Sequence, residues 1–212
     1  MSAHSEMERR AATTRVVLDE EYGRRLRGNP IVFNSPSVVM RDRSIGQFRE
    51  IIHPEAVDRT LRNGDVVKAF WNHNSDLVLG STKAGTLQLR KTPGALQMIL
   101  DPPKWADPQV ETVQRGDVDG MSFGFSVAEG GDTWDFDTED DIPLRHVWDM
   151  GFSEVSLVAF PAYPATDVLV AKRSIDAFTA SIPKGRSVEF LRKVHQTNLA
   201  RVFRGGVNHY EG

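Results

Sequence analysis

The 212-residue chain contains no cysteine. That excludes disulfides, thiolate nucleophiles and cysteine-based zinc sites, and it is compatible with action inside a cell. No run of about 18 apolar residues occurs, so no membrane-spanning helix is expected. Residues 1–15 are polar and lack an apolar centre, which predicts no secretion signal. Neither sign of charge is in large excess: 26 Lys and Arg stand against 29 Asp and Glu, a net charge of −3. That balance gives no reason to expect nucleic-acid or membrane binding. No HExxH or HxH spacing is present, and Arg115-Gly116-Asp117 is no phosphate loop, so neither a metal nor a cofactor is expected. What the chain does have is 40% hydrophobic residues, enough for a sizeable core in one domain with extensions.

Three regions follow from the patterning. Residues 1–27 are charged and weakly patterned, and read as a flexible N-terminal arm. Residues 28–171 read as the folded domain, in which short apolar runs between turn signals predict mainly β structure with a few helices. Residues 172–212 carry eight Lys or Arg against three acids. Val188, Leu191, Val194, Leu199 and Val202 recur there at roughly helical spacing, which predicts a basic helix on a linker.

Within the domain, Pro54 opens a helix over residues 54–61 that Asn63-Gly64 stops. Residues 66–71 read as a buried strand running into Asn72-His73-Asn74. Residues 86–90 and 95–100 alternate and form a hairpin closed by Pro93-Gly94. Asp107 is expected to cap a helix with Pro108 in its first turn and Gly116 at its end. Residues 129–141 hold seven acids and no base, a solvated loop. In the strand 121–127, Met121, Phe123, Phe125 and Val127 point one way, while Ser122, Gly124 and Ser126 point the other. The second face is all small residues, so something could lie against it. Residues 154–160 form a further buried strand with Glu154 and Ser156 on one face.

Without cysteine, a nucleophilic enzyme needs Ser, Thr, Lys or a carboxylate, and serine needs a nearby base. His53, His73 and His146 lie in the domain; His4, His195 and His209 lie outside it or at its ends. His73 stands where a strand leaves the core, a place that fixes a base yet leaves it open. Its ordinary alternative is a strand-end histidine bonded to a carbonyl. Ser122 is a candidate nucleophile or simply a small residue on a packed sheet face; no GxSxG elbow surrounds it. Glu154 is either a solvated strand-end charge or a carboxylate that orients a histidine.

Taken together and in order, these segments resemble the HK97-type phage prohead protease family. The matching stretches are Gly28-Asn-Pro-Ile-Val-Phe-Asn34, Phe48-Arg-Glu-Ile-Ile-His-Pro54 and Asn63-Gly-Asp-Val-Val-Lys-Ala-Phe-Trp-Asn-His73. After them come Leu79-Gly80, Gly85-Thr-Leu-Gln-Leu89, Arg115-Gly-Asp-Val-Asp-Gly-Met-Ser-Phe-Gly-Phe125 and Glu154-Val-Ser-Leu-Val-Ala-Phe-Pro-Ala-Tyr-Pro164. Asn74, Ser81 and Glu55 depart from the expected pattern, which has Asp, Arg and Gly there.

The resemblance implies a serine endopeptidase with His73 as base and Ser122 as nucleophile. It points to Glu154 as the third member, with His146 as the alternative. It implies a closed, mainly antiparallel β structure flanked by helices, similar to the herpesvirus maturation protease. The implied partners are the major capsid protein and its scaffolding segment, inside the procapsid in the bacterial cytoplasm; self-association and removal of the C-terminal tail by self-cleavage are left open. Two other readings use the same residues. One is a non-catalytic capsid-assembly factor that keeps the fold and binds scaffold. The other is an all-β binding module whose small-residue face cradles a ligand, which would leave His73 and Ser122 far apart.

Overall fold

The computed structural model describes residues 7–11, 14–19, 21, 23–42 and 46–160. Thirteen strands among them form three sheets. The first has the order β1 (Glu8–Ala11), β10 (Gly120–Val127), β13 (Met150–Val158), β6 (Lys68–Trp71), β7 (Asn74–Ser81). The second runs β11 (Asp132–Asp135), β12 (Leu144–Val147), β5 (Gly46–Ile52), β4 (Met40–Asp42). The third runs β2 (Val17–Leu18), β3 (Leu26–Val32), β9 (Ala95–Leu100), β8 (Leu87–Lys91). Pairing is antiparallel except at β13–β6 and β12–β5.

The mainly β, largely antiparallel expectation holds, but the expected closure does not. In the first sheet the outer strands β1 and β7 pair only inward, with β10 and β6. Closing a sheet needs one continuous stagger through every strand. Among the described residues no strand of one sheet pairs with a strand of another, so the three sheets do not join into one closed ladder.

One contiguous core joins the sheets and both helices. Met121, Phe123 and Phe125 of β10 and Val155 and Leu157 of β13 sit in it, as the strand alternation predicts, and Phe152 joins them because the extra residue Ser153 resets the phase of β13. Phe123 and Phe152 meet at 6.3 Å between ring centroids, tilted by 58°. Truncating such a buried ring to Ala typically costs about 3–5 kcal/mol.

The first helical segment is a 3-10 turn, Pro54–Val57, running into α1 (Asp58–Asn63). Gly64 ends it at φ +64, a left-handed conformation that glycine adopts without a Cβ penalty, and its N–H reaches the carbonyls of Thr60 and Leu61. A 3-10 turn, Lys104–Ala106, precedes α2 (Asp107–Gln114). The N-cap of α2 is Ala106 rather than Asp107, and no side-chain cap bond forms. The preceding 3-10 turn moves Asp107 inside the helix, where its carboxylate still complements the dipole.

Two other segments differ from their sequence reading. The acidic stretch 129–141 is not all solvated loop. It contains β11, whose Trp134 is buried against Phe48 and Phe136 and whose Asp132 bonds Arg145. Within the stretch read as an arm, β1 pairs with β10 and β2 pairs with β3. The basic segment 172–212 lies outside the described residues.

Candidate active site

The site is built on one face of the first sheet. Two-residue alternation sends Ser122 and Gly124 of β10 to the face opposite Phe123 and Phe125. The register then aligns two rows across three strands: Ala11, Ser122 and Ser156, and beside them Arg9, Gly124 and Glu154. An irregularity between Gly124 and Phe125 leaves Ser153 unpaired immediately before Glu154. Bulges of this kind re-aim neighbouring side chains. Ser153 Oγ donates to the Gly124 carbonyl at 3.3 Å.

His73 arrives from β6 and β7. Trp71 pairs with Asn74, so Asn72 and His73 form a two-residue hairpin loop. Both have positive φ, +50 and +59, as a type I′ turn requires. Asn and His tolerate this region better than most side chains, although the favoured pair is Asn-Gly. The loop is tied to β13: the Asn72 N–H donates to the Leu157 carbonyl at 2.9 Å, and Asn72 Oδ1 accepts from the Ala159 N–H at 3.4 Å. A loop in this uncommon conformation, tied to β13 twice through Asn72, holds the imidazole in place.

His73 Nδ1 hydrogen-bonds Glu154 Oε1. The same carboxylate oxygen accepts the Ser156 hydroxyl at 3.0 Å, and Arg9 Nε lies 3.7 Å away. Burial pushes the Glu154 carboxyl pKa up, but the His73 hydrogen bond and charge, then Ser156 and Arg9, outweigh it and leave it below the ordinary value. Glu154 is therefore held as the anion, the form that orients an imidazole and balances imidazolium charge.

Ser122 is fully buried, and its Oγ has no hydrogen-bond partner among the described residues; the same is true of His73 Nε2. These are the two atoms that a serine–histidine dyad brings together. They are not hydrogen-bonded to each other here. Catalytic bonds are often long before substrate arrives.

His146, the alternative third member, lies on β12 in the second sheet. Its Nδ1 is 2.9 Å from His53 Nε2, and both rings stack with Trp148. Among the described residues no group of three or more His or acidic side chains could hold a metal ion.

Sequence reasoning missed the charges that anchor β1. On the face opposite Arg9, Glu8 and Arg10 join Arg145, Glu50 and Asp132. Arg145 is completely buried and donates to Glu8 at 2.8 and 3.1 Å, Glu50 at 3.0 Å and Asp132 at 2.6 Å. Arg10 bonds Glu8 and Glu50 and lies 5.3 Å over the Phe125 ring. The signal was Arg145 in phase with buried Val147, a charge on the apolar side of a strand.

The family model for caudovirus prohead serine proteases matches residues 11–181. The chain belongs to that family. It is thereby a serine peptidase of phage prohead maturation, acting on capsid protein. The match spans the hairpin with His73, the strand with Ser122 and the strand with Glu154, and begins at the end of β1. Comparison with curated proteins gives no match, and neither does comparison with solved structures.

Proposed function

We propose that this prohead protease uses Ser122 as nucleophile, His73 as general base and acid, and Glu154 as the carboxylate that orients His73. The observation that carries the reading is the bond from His73 Nδ1 to Glu154 Oε1, with the other ring nitrogen and the Ser122 hydroxyl both buried and without a hydrogen-bond partner among the described residues. In the reaction Ser122 Oγ attacks the scissile carbonyl while His73 Nε2 takes its proton. The tetrahedral intermediate collapses as His73 returns the proton to the leaving amine. Water then repeats the sequence on the acyl-enzyme, releasing the new carboxyl end. Because Ser122 is buried, a peptide reaches it only after the face above it opens.

In this reading the substrate is the scaffolding segment of the major capsid protein, cut inside the procapsid in the host cytoplasm. The folded domain takes in β1 and β2 ahead of residue 28 and runs to about residue 171, and the basic segment 172–212 is a tether removed by self-cleavage. That segment could pair with acidic scaffold and raise the enzyme's effective concentration before release. Kinship with the herpesvirus maturation protease belongs to the same proposal; it rests on the resemblance and the mainly antiparallel sheets.

The test is co-expression with capsid protein. Ser122→Ala and His73→Ala should each abolish cleavage while the fold persists, and both should leave the protease at full-length mass. Glu154→Gln should be milder by roughly 50-fold, since orienting a base matters less than being the base or the nucleophile. Undiminished cleavage by Ser122→Ala would return the reading to a non-catalytic assembly factor.

A further inference from the structure

We infer that Gly124 is a positioning residue: it sets Glu154 against His73 by having no side chain. The inference rests on the proposed triad and deepens it. A Cβ at position 124 would stand 3.3 Å from Glu154 Oε2, 3.3 Å from Glu154 Cβ and 3.2 Å from Met7 Sδ. The Glu154 side chain therefore lies directly over the Gly124 backbone, and the carboxylate occupies the volume that any other residue would fill.

Contacts this tight require the neighbour to yield by a few tenths of an ångström. Glu154 has little freedom to yield. It is buried, its Oε1 is shared by His73 Nδ1 and the Ser156 hydroxyl, and Arg9 stands beside it. The backbone at 124 carries no positive φ and lies within strand β10, where the extra residue of the irregular ladder, Ser153, is on β13. Alanine is therefore permitted by backbone conformation, and the only objection to it is the space above. Elsewhere glycine in a strand weakens it, so a glycine here has a specific use. It lets the carboxylate lie flat on the sheet, within reach of a histidine that comes from the neighbouring hairpin.

The alternative use of the same space is Met7. Its sulfur is as close as the carboxylate, but its side chain is partly exposed and can swing away. The two neighbours are therefore separable by experiment.

Two measurements test the inference. In the full chain carrying Ser122→Ala, the His73 Nδ1 proton is followed by 1H NMR. A proton held on a buried carboxylate resonates far downfield. Gly124→Ala should shift or abolish that resonance without changing the melting temperature; an unmoved resonance overturns the inference. In the active chain, Gly124→Ala should lower kcat by about 3- to 30-fold, since misplacement of about 1 Å can cost about 100-fold and the displacement here is smaller. KM should change by less than about twofold. In a Glu154→Ala background the same substitution should have almost no further effect, because the group it displaces is gone. An equal loss in both backgrounds, or recovery of activity on adding Met7→Ala, overturns the inference. If instead Glu154→Gln leaves activity intact while Gly124→Ala still moves the Nδ1 resonance, the triad reading fails and the positioning by Gly124 stands.

Discussion

Replacing Arg145 with methionine should damage this protein more than any surface substitution. The guanidinium is completely buried and bonds three carboxylates. Methionine has similar length and packs well in apolar surroundings, so the loss is electrostatic rather than a cavity. Glu8, Glu50 and Asp132 would stay inside, and Arg10 would still bond Glu8 and Glu50. Breaking a buried ion pair by removing one partner typically costs about 3–5 kcal/mol. For a chain of this length each kcal/mol moves the melting temperature by about 2–4 °C, so the expected drop is about 6–20 °C. The penalty should also depend on pH. In the native protein, burial pushes the Glu8 pKa up, but Arg145 and Arg10 outweigh it and hold the group below its ordinary value. Its stabilising contribution is thus present above the ordinary carboxylate range and lost as pH falls through the folded value. Without Arg145 burial is offset by Arg10 alone, Glu8 loses part of its depression, and the variant gains less stability than the native protein as pH rises. The gap between native and variant should therefore be wide at pH 7 and narrow near pH 4. Urea denaturation of Ser122→Ala chains with and without Arg145→Met, at both pH values, reads this directly. A penalty under about 1 kcal/mol, or one equal at the two pH values, refutes the reasoning.

Thr60→Val should destabilise by about 1–3 kcal/mol in the same assay, because it leaves the buried Phe152 N–H, now 3.0 Å from Thr60 Oγ1, without an acceptor. Lys91→Ala removes a half-exposed pair with Asp58 and should change stability by less than about 1 kcal/mol. Burial and then the neighbouring His146 depress the His53 pKa, against a smaller opposing effect of Glu55. The His53 contribution is accordingly full above the ordinary histidine range and lost as pH falls through the folded value; His146→Gln should flatten the acid limb of stability between about pH 7 and 5.

Much of the site's framework was legible because it is local. Alternation alone put Ser122 and Gly124 on a small-residue face and Glu154 beside Ser156. The structure adds what lies on that face: the Glu154 carboxylate over Gly124. The strand before His73 was visible too, but the positive φ of Asn72 and His73 was not, since the favoured Asn-Gly signal for this turn is absent. Hidden altogether were the contacts that depend on long-range register. Arg9 reaches Glu154 only because β1 pairs with β10, and β1 stays there through charges on three further strands. Glu8, Glu50, Asp132 and Arg145 are far apart in sequence and individually read as surface residues. Closure of the sheets was inferred from resemblance, and no local pattern could have tested it, because closure depends on the summed stagger of every ladder.

The central claim is that Ser122 is a nucleophile activated by His73. The most direct measurement is peptide mass spectrometry after exposure of the full chain to a small fluorophosphonate. The account predicts a single adduct, on Ser122, that disappears in His73→Ala while the fold is retained. An adduct on a different serine, or equal labelling of Ser122 with and without His73, would contradict it.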